Sequence, residues 1–174
     1  MVLIDTQYLT KMIFKFYYAF LKNKNLSDKT IINKTVKYMR ILSSCIADEG
    51  TEYNDKDRIT YKGTWRAVLP GIEIGETFRV FKWISASENK DVAYKFLQNF
   101  DDDDQLIVEF HIKEGCYNAG RINKFGESIY PNEKETLIPP YTVLTLISKE
   151  EDYAVLEVAK DNNDHDFNMK VSCV

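Results

Sequence analysis

Glu133 and Glu135 stand two residues apart in the stretch Tyr130-Pro131-Asn132-Glu133-Lys134-Glu135-Thr136-Leu137-Ile138-Pro139-Pro140. The apolar, Thr-containing run after them reads as the start of a strand. Side chains two apart on a strand share a face, so both carboxylates are expected to project from the same side. One acid can then assist the other at a single reacting centre. The segment enters from a loop containing Gly126 and Pro131 and leaves through the Pro139-Pro140 pair, which forces a turn. The acids are thereby placed at a loop-to-strand edge, where ligands commonly bind. On its own, Glu-Lys-Glu also reads as a solvated strand face, and the rest of the chain has to decide between the two.

A length of 174 residues suits one domain, 1–174, with a core that needs neither metal nor disulfide. The aromatic share of 13% supplies large core side chains, and the net charge of -4 gives no sign of a strongly cationic nucleic-acid surface. Cys45, Cys116 and Cys173 are odd in number, widely spaced and without a Cys-x-x-Cys or His partner pattern. Neither a disulfide framework nor a zinc site is indicated, and a reducing, cytoplasmic setting is expected. The run Met12-Ile13-Phe14 is interrupted by Lys11 and Lys15 and followed by no cleavage site, so no signal peptide is read. No stretch approaches the ~20 apolar residues of a membrane span. If the protein acts in a target cell, delivery is expected by a route without a recognisable signal peptide.

The elements that must carry the acids follow from periodicity. Tyr8, Leu9, Met12, Ile13, Phe16, Tyr17, Phe20 and Leu21 recur at helical spacing. Ser27 is a suitable N-cap for a second helix with Ile32, Val36, Met39, Leu42 and Ile46 on one face, stopped by Gly50. Residues 1–50 are therefore expected to form a helical lobe, and 58–160 a β-rich core. In that core Arg58-Ile59-Thr60-Tyr61 reads as a short strand broken at Lys62-Gly63-Thr64, where glycine would let backbone approach a ligand closely. Val80 to Ile84 reads as a second strand. Ser87 reads as the cap of a helix carrying Val92, Ala93, Phe96 and Leu97. The acidic run Asp101 to Asp104 lacks the spacing of a calcium loop and reads as a solvated turn. Leu106 to Ile112 is a half-buried strand, with His111 on its less apolar side in a structural role. Strands are expected at Thr142 to Ile147 and Tyr153 to Ala159, with an edge strand around Phe167, Met169 and Val171.

Three strand-edge signals now stand in order: Tyr61-Lys62-Gly63, then Trp83-Ile84-Ser85-Ala86-Ser87, then Glu133-Lys134-Glu135 with its Leu-Ile-Pro-Pro tail. This order resembles the mono-ADP-ribosyltransferases of the Arg-Ser-Glu type, which include bacterial toxins and animal arginine-modifying enzymes. In that family an aromatic-Arg-Gly stretch, a Ser-Thr-Ser stretch and a Glu-x-Glu stretch line one NAD cleft. The resemblance covers about residues 58 to 147. It departs from the family where Lys62 replaces the arginine, which keeps charge but loses the planar fork, and where Ala86 replaces the middle Thr. Arg66, four residues on, is a candidate substitute for the missing arginine.

The resemblance implies an α+β fold, two packed and mainly antiparallel sheets with a helical N-terminal lobe. It implies a transferase that uses NAD as substrate and no metal. Glu135 would favour the cation that develops on the ribose, Glu133 would orient the acceptor and take its proton, and Ser85 would hold Glu135 or the ribose in register. Lys62, with Arg66, would meet the phosphates, and Tyr61, Gly63 and Ser87 would complete the cofactor cleft. Tyr130 matches the aromatic of the family's substrate-recognition loop and equally suits packing. The expected acceptor is arginine on a protein, with the chain acting as a toxin or effector. Two other readings stay open: the same chemistry on nucleic acid, in a system with an antitoxin or immunity protein, and a non-catalytic nucleotide-binding relative.

Overall fold

The computed structural model of the chain describes residues 37, 40–48, 55–69, 71–98, 101–121, 134–162 and 170–172. Residues 40–48 are helical (α1). They are followed by β1 (Arg58–Trp65), β2 (Thr77–Val80), β3 (Ile84–Ser87), α2 (Lys90–Leu97), β4 (Gln105–Ile112), β5 (Gly120–Arg121), β6 (Glu135–Ile138), β7 (Val143–Lys149), β8 (Tyr153–Val158) and β9 (Lys170–Ser172). Alternation along β4 sets the layering. Leu106, Val108, Phe110 and Ile112 are buried in the main core, and Ile107 on the opposite face packs with Ala93 and Leu97 of α2 and with Tyr61 and Tyr153.

The strand order is β5-β6-β3-β1-β4-β8-β7-β2-β9, antiparallel except for the β4/β8 and β2/β9 pairs. β3 joins β1 through one residue pair, Tyr61 with Ser87. That single link connects a three-stranded set, β5-β6-β3, to a six-stranded one. Ile84 and Ala86 of β3 and Ile138 of β6 meet Phe78, Val80, Phe110, Leu144 and Leu156 of the larger set in one apolar core. The expected α+β architecture of packed, mainly antiparallel strands is the one observed, and the cleft opens where β1 and β3 part.

Three local expectations are corrected. The strand that was expected to break at Lys62 continues to Trp65, with Gly63 paired to Ile107 in the ladder. Gly63 serves helix packing: a Cβ there would lie 2.2 Å from the Ala93 carbonyl oxygen and 3.1 Å from Leu97 Cδ2. Val80 to Ile84 is not one strand, because β2 pairs with β7 and β3 with β6, so the chain must bend at 81–83 to cross between the two sets. The cap of α2 is Asn89, whose side chain accepts from the Asp91 N–H, while Ser87 Oγ accepts from the Asn89 N–H at 3.0 Å.

The close approach at Gly63 gives a first expected result. Gly63→Ala should lower stability by about 1–3 kcal/mol, because a backbone carbonyl cannot yield as a flexible side chain can. Thermal unfolding checks this, and an unchanged melting temperature would show that α2 shifts freely on β1.

α1 carries Leu42 and Ile46, both buried as its periodicity requires. A Cβ on Gly120 would meet Ile46, which places α1 against β5. The helix expected over Tyr8 to Leu21 and the Ser27 cap lie outside the described residues. The acidic run forms a short 3-10 turn at Asp102–Asp104, and β9 supplies the expected edge strand. Among the described residues no helix is long and apolar enough to cross a membrane.

Candidate active site

Register places three of the sequence signals in one row. Tyr61 of β1 is paired with Ser87 of β3, and Ser87 is paired with Glu135 of β6. Directly paired residues share a face, so these three side chains line one surface across three adjacent strands. Ser85 lies two residues from Ser87, on the same face, and its Oγ donates to Glu135 Oε1 at 2.5 Å. The hydroxyl fixes the carboxylate's rotamer. Together with Lys62, Gly63, Ala86 and the α2 residues Val92, Ala93 and Phe96, these residues line a cleft with a cavity volume of ≈ 180 Å³. Sequence reading had Val92, Ala93 and Phe96 as one packing face. That the same face also borders the cleft has no local signal, since it depends on where α2 crosses β1.

Lys62 is the cation of this cleft. It lies on the same face of β1 as the buried Thr60 and Thr64. Burial, and then the like charge of Lys82, push its ammonium down to about 8, while Glu135 pulls the other way. Arg66 stands elsewhere. It follows β1 in a 3-10 turn and reaches Glu151, in the β7–β8 connection, at 3.5 Å. It is not among the cleft's lining residues.

Glu133 and Tyr130 lie outside the described residues. The strand argument that set Glu133 beside Glu135 does not apply as stated. β6 begins at Glu135, and Lys134 before it is left-handed, φ 42°, so strand alternation does not relate the two acids. The Glu88 N–H donates to the Lys134 carbonyl at 3.4 Å, tying the entry of β6 to the end of β3. Glu88 in turn pairs with Arg58 at 3.5 Å and Arg121 at 3.7 Å, so an ion-pair cluster braces the strand ends beside Ser87.

Behind Tyr61 lies a network that sequence reading missed. Glu109, paired with Tyr61 across β1 and β4, accepts from Tyr153 Oη and stands 2.6 Å from His111 Nε2. Burial pushes Glu109 up, but the hydrogen bonds from Tyr153 and His111 bring it below the ordinary carboxylate range. Lys90 is 3.3 Å from Tyr153 Oη and lies over the Tyr61, Tyr94 and Tyr153 rings. His111 thus has the structural role expected of it. Its partner was legible as a Glu two residues back on the same strand face. The Tyr153 and Lys90 contacts were not, because they come from separate elements.

Residues 35–166 match the model of a family described as NAD:arginine ADP-ribosyltransferase. No curated protein matches the sequence. Among solved structures the chain is similar to the Vis toxin, an ADP-ribosyltransferase from Vibrio splendidus, with 17% identity, 91% of this chain and 72% of that one covered, and a TM-score of 0.56. Exoenzyme S from Pseudomonas aeruginosa, solved with human 14-3-3 protein beta and carba-NAD, gives 18% identity over 92% of this chain and 75% of that one, with a TM-score of 0.59. A eukaryotic mono-ADP-ribosyltransferase solved with NAD gives 18% identity over 92% and 66%, with a TM-score of 0.58.

Proposed function

We propose, from the premise that the chain belongs to the NAD:arginine ADP-ribosyltransferase family, that it transfers ADP-ribose from NAD to arginine side chains of a protein. The enzyme class and the NAD substrate come with the family. The arginine acceptor and a toxin or effector role are the finer part of the reading. The observation that supports it most is Glu135, aligned with Ser87 and Tyr61 and held by Ser85 Oγ in the cleft.

Breaking the bond between nicotinamide nitrogen and ribose C1′ expels neutral nicotinamide and leaves positive charge on the ribose. Glu135 supplies a preoriented anion beside that charge, with Ser85 preventing its rotation away. Tyr61, Ser87 and the α2 face form the wall against which the nicotinamide end is held, and Lys62 meets the phosphates. Gly63 serves this site by letting α2 approach β1 closely. The guanidinium nitrogen of the acceptor forms the new bond to C1′ and loses a proton to Glu133, with Tyr130 in the acceptor-facing segment. The complex of Vis with agmatine, a guanidinium compound, supports the arginine reading, and the Vis toxin supports the toxin role. Action in the producing cell's cytoplasm or in a target cell goes with the identity of that acceptor.

Glu133→Gln is expected to separate two activities: transfer to acceptor falls about tenfold or more, while slow hydrolysis of NAD survives. Equal loss of both would assign Glu133 to bond cleavage instead. The acceptor itself is tested by supplying a lysate with tagged NAD and locating the label by mass spectrometry. Label on arginine side chains is the expected result. Label on nucleic acid would replace the protein acceptor and turn the search for a partner toward an antitoxin or immunity protein.

A further inference from the structure

We infer that Lys90 and Tyr153 are positioning residues of the NAD cleft: Tyr153, held by Glu109, seats the Lys90 ammonium, and Lys90 fixes Tyr61 and the first turn of α2 as one wall. The inference rests on the NAD reading above for what that wall holds, the nicotinamide end, and on side-chain contacts for how the wall is held. Neither residue lines the cleft, and both act through residues that do.

Lys90 is the first residue of α2, just ahead of Val92 and Ala93 in the cleft lining. Its Nζ donates to Tyr153 Oη at 3.3 Å and lies 4.6 Å from the centre of the Tyr153 ring and 5.4 Å from that of Tyr61. One ammonium therefore ties α2 to both β1 and β8. Farther along the helix, Ala93 lies over Gly63, and Ala93 and Leu97 pack with Ile107. The Asn89 cap bonds the Asp91 N–H within the helix and sets no position on the sheet. Lys90 is what places the first turn.

The seat of Lys90 is itself fixed. Tyr153 Oη donates to Glu109 Oε2, and Glu109 Oε1 stands 2.6 Å from His111 Nε2, so both carboxylate oxygens are engaged. Glu109 is paired with Tyr61 across β4 and β1 and shares its face. A phenol whose proton is given to a carboxylate turns its lone pairs to another donor, and Lys90 is that donor. The half-buried ammonium gives up hydration that the hydroxyl and the ring faces replace. Without the hydroxyl it is drawn back toward water, and Tyr61 and the start of α2 lose their common tether.

The test measures, on the full chain, KM and kcat for NAD, inhibition of NAD cleavage by nicotinamide and by ADP-ribose, and amide hydrogen exchange along α2. Tyr153→Phe removes only the hydroxyl. It should raise KM for NAD and the inhibition constant of nicotinamide by about three- to tenfold, with kcat and the inhibition constant of ADP-ribose nearly unchanged, because the wall acts in ground and transition states alike. Lys90→Met should do the same, and the double variant should be no worse than either single one, since both remove one tether. Lys90→Arg should stay within about threefold of wild type, because its cation can still meet the hydroxyl and the rings. With no ligand present, exchange in the first turn of α2 should speed up in Tyr153→Phe while β4 keeps its protection. A nicotinamide constant unchanged in Tyr153→Phe, equal weakening of nicotinamide and ADP-ribose, or losses that add independently in the double variant overturn the inference. Unchanged exchange in α2 overturns it as well, whatever the activity. A wild-type chain that neither cleaves NAD nor is stabilised by nicotinamide rejects the NAD reading instead, and faster exchange in Tyr153→Phe then still upholds the tether.

Discussion

Glu135→Gln is expected to lower nicotinamide release and ADP-ribose transfer together, by about 10²–10³-fold, with the fold intact. The amide has the carboxylate's shape, and its oxygen can still accept from Ser85 Oγ, so the β3–β6 pairing and the local packing have no reason to change. What is lost is the negative charge at the position where positive charge develops on the ribose. The two activities share that bond-breaking step, so they should fall in parallel, and KM for NAD should move little. Near-normal nicotinamide release by the variant would remove Glu135 from the chemistry.

The second large effect concerns Lys62. Lys62→Ala should raise KM for NAD by roughly 10–100-fold, since it deletes a charged contact made in ground and transition states alike. The wild-type enzyme should also show a pH dependence that an arginine would not. With the ammonium pushed down to about 8, Lys62 is charged below that pH and neutral above it. Because kcat/KM reports the free enzyme, it should fall as pH rises through about 8. Tyr61 and Tyr153, the nearby tyrosines with shifted pKa values, are both pushed above their ordinary value by burial and so stay outside this window. Lys62→Arg keeps its charge and should flatten the fall. A wild-type profile without this limb, or an identical limb in Lys62→Arg, would remove Lys62 from the phosphate contact.

Much of this site was legible in the sequence because the signals are local. Ser85, Ser87 and Glu135 sit on short strands, where period-two alternation decides the face, and the register then sets Ser87 and Glu135 in one row with Tyr61. The β4 strand and α1 followed their apolar spacing for the same reason. What failed were inferences that needed a neighbour. Gly63 reads as a break or a ligand contact when only β1 is considered, and as a helix seat once Ala93 is known to cross it. Val80 to Ile84 has the composition of one strand, but its two halves pair with different strands, and composition carries no record of that. Ser87 was a plausible cap, yet Asn89 lies where the helix starts. Glu133 itself lies outside the described residues, and strand alternation does not reach it, because Lys134 is left-handed and β6 begins at Glu135. Arg66 was near Lys62 in sequence, while the extension of β1 to Trp65 carried it toward Glu151.

The most direct test of the central claim is to incubate the purified chain with NAD and a protein rich in exposed arginine, then separate and quantify the products. The account predicts nicotinamide in amounts equal to arginine-linked plus free ADP-ribose, with both products lost in Glu135→Gln. NAD recovered intact, with neither nicotinamide nor labelled acceptor above the level of the Glu135→Gln control, would contradict it.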